Sequence, residues 1–124
     1  MTREDADMSI SFDGIGEVVA TFLVETDSAL EPGDVVCLTG EGEVGLGSSG
    51  GLFCGVAVTV AEDGCAGVQL EGMAAVRYTG TAPQVGWDML AADGTGGVTA
   101  VEQNGLSYLV LSVDEEAKQA VIKL

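Results

Sequence analysis

An all-β fold, a small β-barrel or β-sandwich built from two diverged β-meander copies with little or no helix, is what this 124-residue chain predicts. Apolar and polar residues alternate with a period of two from Leu52 to Tyr78, and glycine-containing turns interrupt the alternation at short intervals. The pattern then returns about fifty residues later. Alternation that carries β-branched side chains marks a half-buried strand, and a period near fifty marks a supersecondary unit that cannot bury its apolar face alone.

In an extended chain Cys54, Val56, Val58 and Val60 fall on one side and Gly55, Ala57 and Thr59 on the other. Asp63-Gly64 turns this strand, Val68 and Leu70 resume the alternation, and Ala74, Val76 and Tyr78 continue it after Gly72. The echo runs from Leu106 to Leu124, with Val110 to Val113 answering Val56 to Val60 and Val121 to Leu124 answering Gly67 to Leu70. The lead-ins correspond too: Leu30-Glu-Pro-Gly-Asp-Val-Val-Cys-Leu is matched by Ala82-Pro-Gln-Val-Gly-Trp-Asp-Met-Leu. The copies therefore span about residues 30–79 and 82–124, and two copies are expected to close on each other around a shared core.

Taken in order, residues 1–16 form an N-terminal arm and 17–124 a single β domain. The first seven residues are charged and lack apolar periodicity; Met8, Ile10 and Phe12 alternate with serines and are the candidate partner-binding residues, a strand that orders against another surface. The competing expectation is that they form the first strand of the barrel. Val18, Ala20, Phe22 and Val24 make the apolar face of the first regular strand, with Val19, Thr21 and Leu23 opposite. Asp34 to Thr39 predicts a short strand, and the glycine-rich stretch 40–51 a loop with a brief strand at Val44 to Leu46. Trp87 to Leu90 and Val98 to Val101 flank a turn at Asp93-Gly94, and the sole tryptophan, Trp87, is expected to pack in the core. Asp114 to Gln119 has helix-compatible residues but occupies the place of Ala61 to Cys65, so it predicts a turn.

The core is aliphatic: apolar residues make up 47% of the chain and aromatic ones only 5%. Twenty acids against four bases give a net charge of −16, and no Lys or Arg lies between Glu4 and Val76. That balance excludes nucleic acid and an anionic membrane as partners, since phosphate affinity comes from Lys and Arg. A basic or cation-rich partner surface would relieve the self-repulsion, and the competing expectation is that an acidic surface simply keeps the protein soluble. Cys37, Cys54 and Cys65 are odd in number and two of them sit in apolar alternation, which predicts reduced thiols in a reducing compartment. The N-terminus has no apolar signal-peptide core, and synthesis in the cytoplasm is expected.

Gly40 to Gly45 satisfies G-x-G-x-x-G, but more glycine and serine follow it where a phosphate site needs a helix N-terminus, and Glu41 and Glu43 would repel phosphate. Gly47 to Gly51 satisfies G-x-S-x-G with Ser49 central, yet the chain has no histidine to activate a serine. No two carboxylates stand out as an acid–base pair, and no calcium-loop spacing occurs. The chain is accordingly expected to be no enzyme, with no catalytic residue, cofactor or metal ligand to assign.

The run Pro32-Gly-Asp-Val-Val-Cys-Leu-Thr, then Gly42-Glu-Val, Phe53-Cys-Gly-Val-Ala, Gly67-Val-Gln-Leu-Glu-Gly-Met-Ala-Ala-Val and the second lead-in Gly86-Trp-Asp resembles the capsid decoration, or cement, proteins of tailed bacteriophages over about residues 18–124. The resemblance implies a small β-rich structural protein on the capsid exterior of the virion. It implies the major capsid protein as partner and a homo-oligomer, a trimer, as the self-assembled form. Two other functions compete with it: a ligand-binding or carrier module of barrel-sandwich type, which needs a lysine at a hairpin tip, and a carboxylate enzyme.

Overall fold

The computed structural model describes residues 16–124. Ten strands follow in order: β1 (Val18–Val24), β2 (Val35–Gly40), β3 (Glu43–Gly45), β4 (Phe53–Val60), β5 (Cys65–Glu71), β6 (Met73–Thr79), β7 (Gly86–Ala92), β8 (Val98–Ala100), β9 (Leu106–Asp114) and β10 (Gln119–Lys123). No helix occurs among the described residues. The strands close into two five-stranded barrels, in the orders β1-β3-β2-β4-β5 and β10-β6-β8-β7-β9. The connections are the same in both. β1 lies parallel to β3 and antiparallel to β5, as β6 lies parallel to β8 and antiparallel to β10.

The repeat is therefore present, but its boundary differs from the one the sequence predicts. Met73–Thr79 does not complete a meander in the first copy; it opens the second barrel as the counterpart of β1. The reason is that both edges of β5 are occupied, by β1 on one side and β4 on the other, so no ladder remains for β6. Gln69 fixes the crossing, its Nε2 donating to the carbonyls of Glu71 and Met73, each at 3.0 Å.

Each barrel has its own core. Leu30, Val36, Val44, Ala57, Ala66 and Val68 fill the first, with Phe22, Val24 and Val60 packed on them. Ala74, Val76, Tyr78, Leu90, Val98, Val110 and Ile122 fill the second, and Val35, Cys37, Phe53 and Val56 of the first copy join that cluster. The first three residues of β2 thus bury both faces, Val36 into its own barrel and Val35 and Cys37 toward the other, which explains why the strand opens on consecutive apolar residues, while Leu38, Thr39 and Gly40 are exposed. The expected shared core is this junction. Val44, inside the glycine-rich segment, is fully buried because β3 pairs with both β1 and β2.

Equivalent turns use different chemistry. Between β4 and β5, Gly64 takes φ 89° and Asp63 Oδ1 accepts the Cys65 amide at 3.1 Å. Between β9 and β10, Lys118 takes φ 58° and Asp114 Oδ1 accepts the amides of Glu116 and Ala117, each at 3.1 Å. A lysine tolerates this left-handed backbone at some cost, offset by its ammonium lying 5.7 Å from the Tyr78 ring centroid.

Candidate partner-binding surface

What the fold offers a partner depends first on how stiffly the barrels are joined. The Arg77 guanidinium on β6 pairs with the Asp34 carboxylate at the start of β2. Asp34 Oδ2 also accepts the Glu31 amide at 2.9 Å, so the buried carboxylate is held on both oxygens. The Val35 amide donates to the Gly96 carbonyl at 2.9 Å, and the 48–51 loop exchanges two backbone bonds with Ala92, Gly50 N to Ala92 O and Ala92 N to Gly51 O, each at 2.8 Å. Phe53 stacks on Tyr108 with ring centroids 4.7 Å apart and planes 12° apart, and the Tyr108 hydroxyl donates to the Phe53 carbonyl at 3.2 Å. Apart from the Glu31–Asp34 bond, which lies within the first copy, each of these contacts crosses between the copies.

The junction also perturbs titration. Burial, with added repulsion from the nearby Cys54 and Cys37 thiolates, pushes Tyr108 up to about 12. Burial likewise raises Cys37 and Cys54 above their ordinary values. A raised pKa means the unfolded chain loses its proton first, so the stabilisation is intact below the unfolded value and disappears as pH climbs to the folded one. Stability is therefore expected to decline from about pH 8.5, where unfolded cysteines ionise, and more steeply from about pH 10, where unfolded tyrosines do. Urea midpoints measured between pH 7 and 12 check this, and Tyr108→Phe is expected to flatten the upper limb. At Asp93 partial burial pushes the carboxyl up, but hydrogen bonds from the Thr95 amide and hydroxyl, the Gly97 amide and the Thr79 hydroxyl outweigh it and hold the group below its ordinary value.

The two sequence motifs resolve into a hairpin and a loop. Gly40 to Gly45 forms the β2–β3 hairpin and Gly47 to Gly51 the segment that pairs with Ala92, so neither is followed by a helix. An open groove of about 730 Å³ runs along β9 and β10 beside Asp114, Glu115 and Glu116. Those carboxylates sit on one turn, and Asp114 is engaged by the turn amides. They do not face each other across a cleft as paired acid and base groups must. Among the described residues no three His, Cys, Asp or Glu side chains converge to hold a metal.

The conspicuous chemistry lies on the outside. Trp87, expected in the core, is 71% exposed on β7, beside Val85 at 68%. The strand alternates, and Leu90 and Ala92 take the inward positions, which leaves Trp87 outward and Asp88 inward. Asp88 is accommodated at the strand end by accepting the amides of Gln84 and Met89, each at 2.9 Å. Trp87 faces Leu109 across the ladder, and Leu109 faces Lys123.

The first barrel has an apolar outer face of its own. Val19 and Leu23 are 49% and 56% exposed on β1. Val58, expected inside with Val56 and Val60, is 38% exposed, because β4 bulges there: Ala57 pairs with Val68 and Thr59 with Gly67, leaving Val58 as the extra residue. Val19, Val58 and Thr59 converge over Gly67, where an added Cβ would lie 3.6 Å from each valine and 2.6 Å from the Thr59 hydroxyl. The Gly67 amide donates to that hydroxyl at 3.2 Å. Met8, Ile10 and Phe12 lie outside the described residues.

No protein-family model and no curated protein sequence matches this chain.

Proposed function

We propose that this chain is a non-enzymatic structural protein of the capsid-decoration kind, binding the outside of a phage head through the major capsid protein and reinforcing the shell. The observation that carries the proposal is the pair of exposed apolar faces, one on each barrel of a cross-braced body, with Trp87 at 71% exposure on one of them. A solvent-facing tryptophan beside aliphatic side chains is the composition of a protein contact, because a large ring gains most when a partner removes it from water. The sequence resemblance supports the same function, and so does the acidic surface, which leaves protein as the fitting partner. Of the two equivalent hairpin tips, β4–β5 carries Glu62, Asp63 and Gly64, and the lysine of β9–β10, Lys118, lies over the Tyr78 ring.

Co-sedimentation with empty heads of the phage that encodes the chain tests this. Saturable binding at a fixed number of copies per capsid subunit, with heads that resist heating better when occupied, is the expected result; no association at micromolar protein overturns the proposal. Residues 1–14 are part of the proposed contact. Their deletion is expected to leave the urea midpoint unchanged and abolish head binding, and full-strength binding by the truncated chain would remove the arm from the account.

A further inference from the structure

The two exposed faces differ in electrostatic setting, and that difference distinguishes what each is able to meet. From Gly16 to Gly72 the chain carries ten carboxylates and no Lys or Arg; from Met73 to Leu124 it carries six carboxylates and three bases. The Val19, Leu23 and Val58 face belongs to the first of these halves. Its acids stand at both ends of the patch. Val18 pairs with Glu71 and follows Glu17, while Leu23 pairs with Glu43 and with Cys65, which follows the Glu62–Asp63 turn. The result is an aliphatic centre with a carboxylate rim and no cation within its own barrel.

We propose that the outer face of β1, β5 and β4 is the surface that docks on the shell, and that the protein surface it meets there carries an apolar centre rimmed by Lys and Arg. The assignment rests on the capsid-decoration function proposed above and adds which face is used and what it recognises. Charge complementarity selects the occupant. A second copy applying the same face would set carboxylates against carboxylates around the apolar contact, and like charges across an interface exclude a partner. The Trp87 face is not barred in this way, since Arg77, Lys118 and Lys123 all lie in its half.

The bulge supplies the shape. By turning Val58 outward beside Thr59, it widens the apolar centre from the single row on β1 to both sides of Gly67, whose missing side chain leaves the middle low. Bulges persist where a side chain must be re-aimed, and a glycine within a strand marks close approach by another chain. Val58 has no place in either core cluster, so its outward position serves no packing inside the barrel.

The test uses the full chain, empty heads as the probe, and Leu23→Asp, Val58→Asp and Thr21→Arg, with Gln103→Asp as the added-charge control. All four positions are exposed, and urea midpoints establish that each variant folds. Head affinity is expected to fall at least tenfold for Leu23→Asp, Val58→Asp and Thr21→Arg and to stay within twofold for Gln103→Asp. Wild-type affinity is expected to drop at least fivefold between about 50 and 500 mM salt, as screening of a charged rim requires. Thr21→Arg keeps every apolar contact and changes only charge and bulk at the centre, so its loss does not depend on an unfolded variant. If wild type binds and these three variants bind within twofold of it, the face is overturned while the decoration function stands. If wild type fails to bind heads at all, the decoration function itself fails. Salt-independent binding overturns the basic rim. A change of solution mass in Leu23→Asp or Val58→Asp with head binding intact assigns the face to a second copy, and also overturns the inference.

Discussion

Phe53→Ala is expected to destabilise the protein by about 3–5 kcal/mol, the range for removing a buried aromatic side chain from a packed core. Phe53 is 2% exposed, starts β4 in the first barrel and packs in the second barrel's cluster. Its loss opens a cavity at the junction and also removes the ring on which Tyr108 stacks. Against a total stability of about 5–15 kcal/mol for a domain, that is a large share. Chemical unfolding followed by circular dichroism measures it. The same variant is expected to flatten the fall of stability above about pH 10, because the burial that raises Tyr108 is relieved when Phe53 is cut back and its folded value moves toward the unfolded one. Both barrels are expected to lose stability together, since the missing ring served the contact between them.

Gly96→Ala is expected to cost about 2–4 kcal/mol, from two sources that add. Gly96 takes φ 100°, where an L side chain is strained by about 1–2 kcal/mol. The new methyl group would also collide with the Asp34 carboxylate and lie 2.7 Å from the Arg77 guanidinium, separating the ion pair that joins the copies. Leaving a buried carboxylate without its partner is costly, though here the half-exposed guanidinium is partly screened by water, which keeps the second contribution modest. Gly33→Ala separates the two sources. Gly33 has φ 94° but open space around an added Cβ, so it carries only the backbone strain. The difference between the two urea-derived free energies measures the displaced ion pair, and equal losses would mean that the Asp34–Arg77 contact contributes nothing to joining the barrels.

The strands were legible because their cause is local. Alternation in β1, β5 and β10, the Asp-Gly turn after β4 and the recurrence near fifty residues all follow from which side chains suit a pleated surface. The turn at Asp114 was legible only through the repeat, since its own residues favour helix. The barrel boundary was not legible. β6 continues the alternation of β5 across Gly72, and nothing local says that both edges of β5 are already taken.

The outer faces were hidden for a related reason. A period of two separates two faces of a strand without saying which is inside, and for β7 both faces are apolar, one with Leu90 and Ala92, the other with Trp87 and Met89. Size argued for burying Trp87; the ladder to β9 and the second core decided otherwise. The available signal was Asp88, whose carboxylate finds its amide partners at the inward side of the strand end and so sends its neighbour Trp87 out. At Val58 the bulge breaks the alternation, and one extra residue in an otherwise regular valine run leaves no mark in the sequence. Val19 and Leu23 were placed correctly opposite the core face of β1, and their exposure followed from that placement.

Side-chain footprinting with hydroxyl radicals, comparing free protein with protein bound to empty heads, tests most directly whether outward apolar side chains are what this molecule works with. Heavy oxidation of Trp87 and Leu23 in the free protein, and loss of oxidation at Val19, Leu23 and Val58 on the shell, is the predicted result. Unchanged oxidation of both faces in head-bound protein, or protection confined to the Asp114–Glu116 groove, would contradict it.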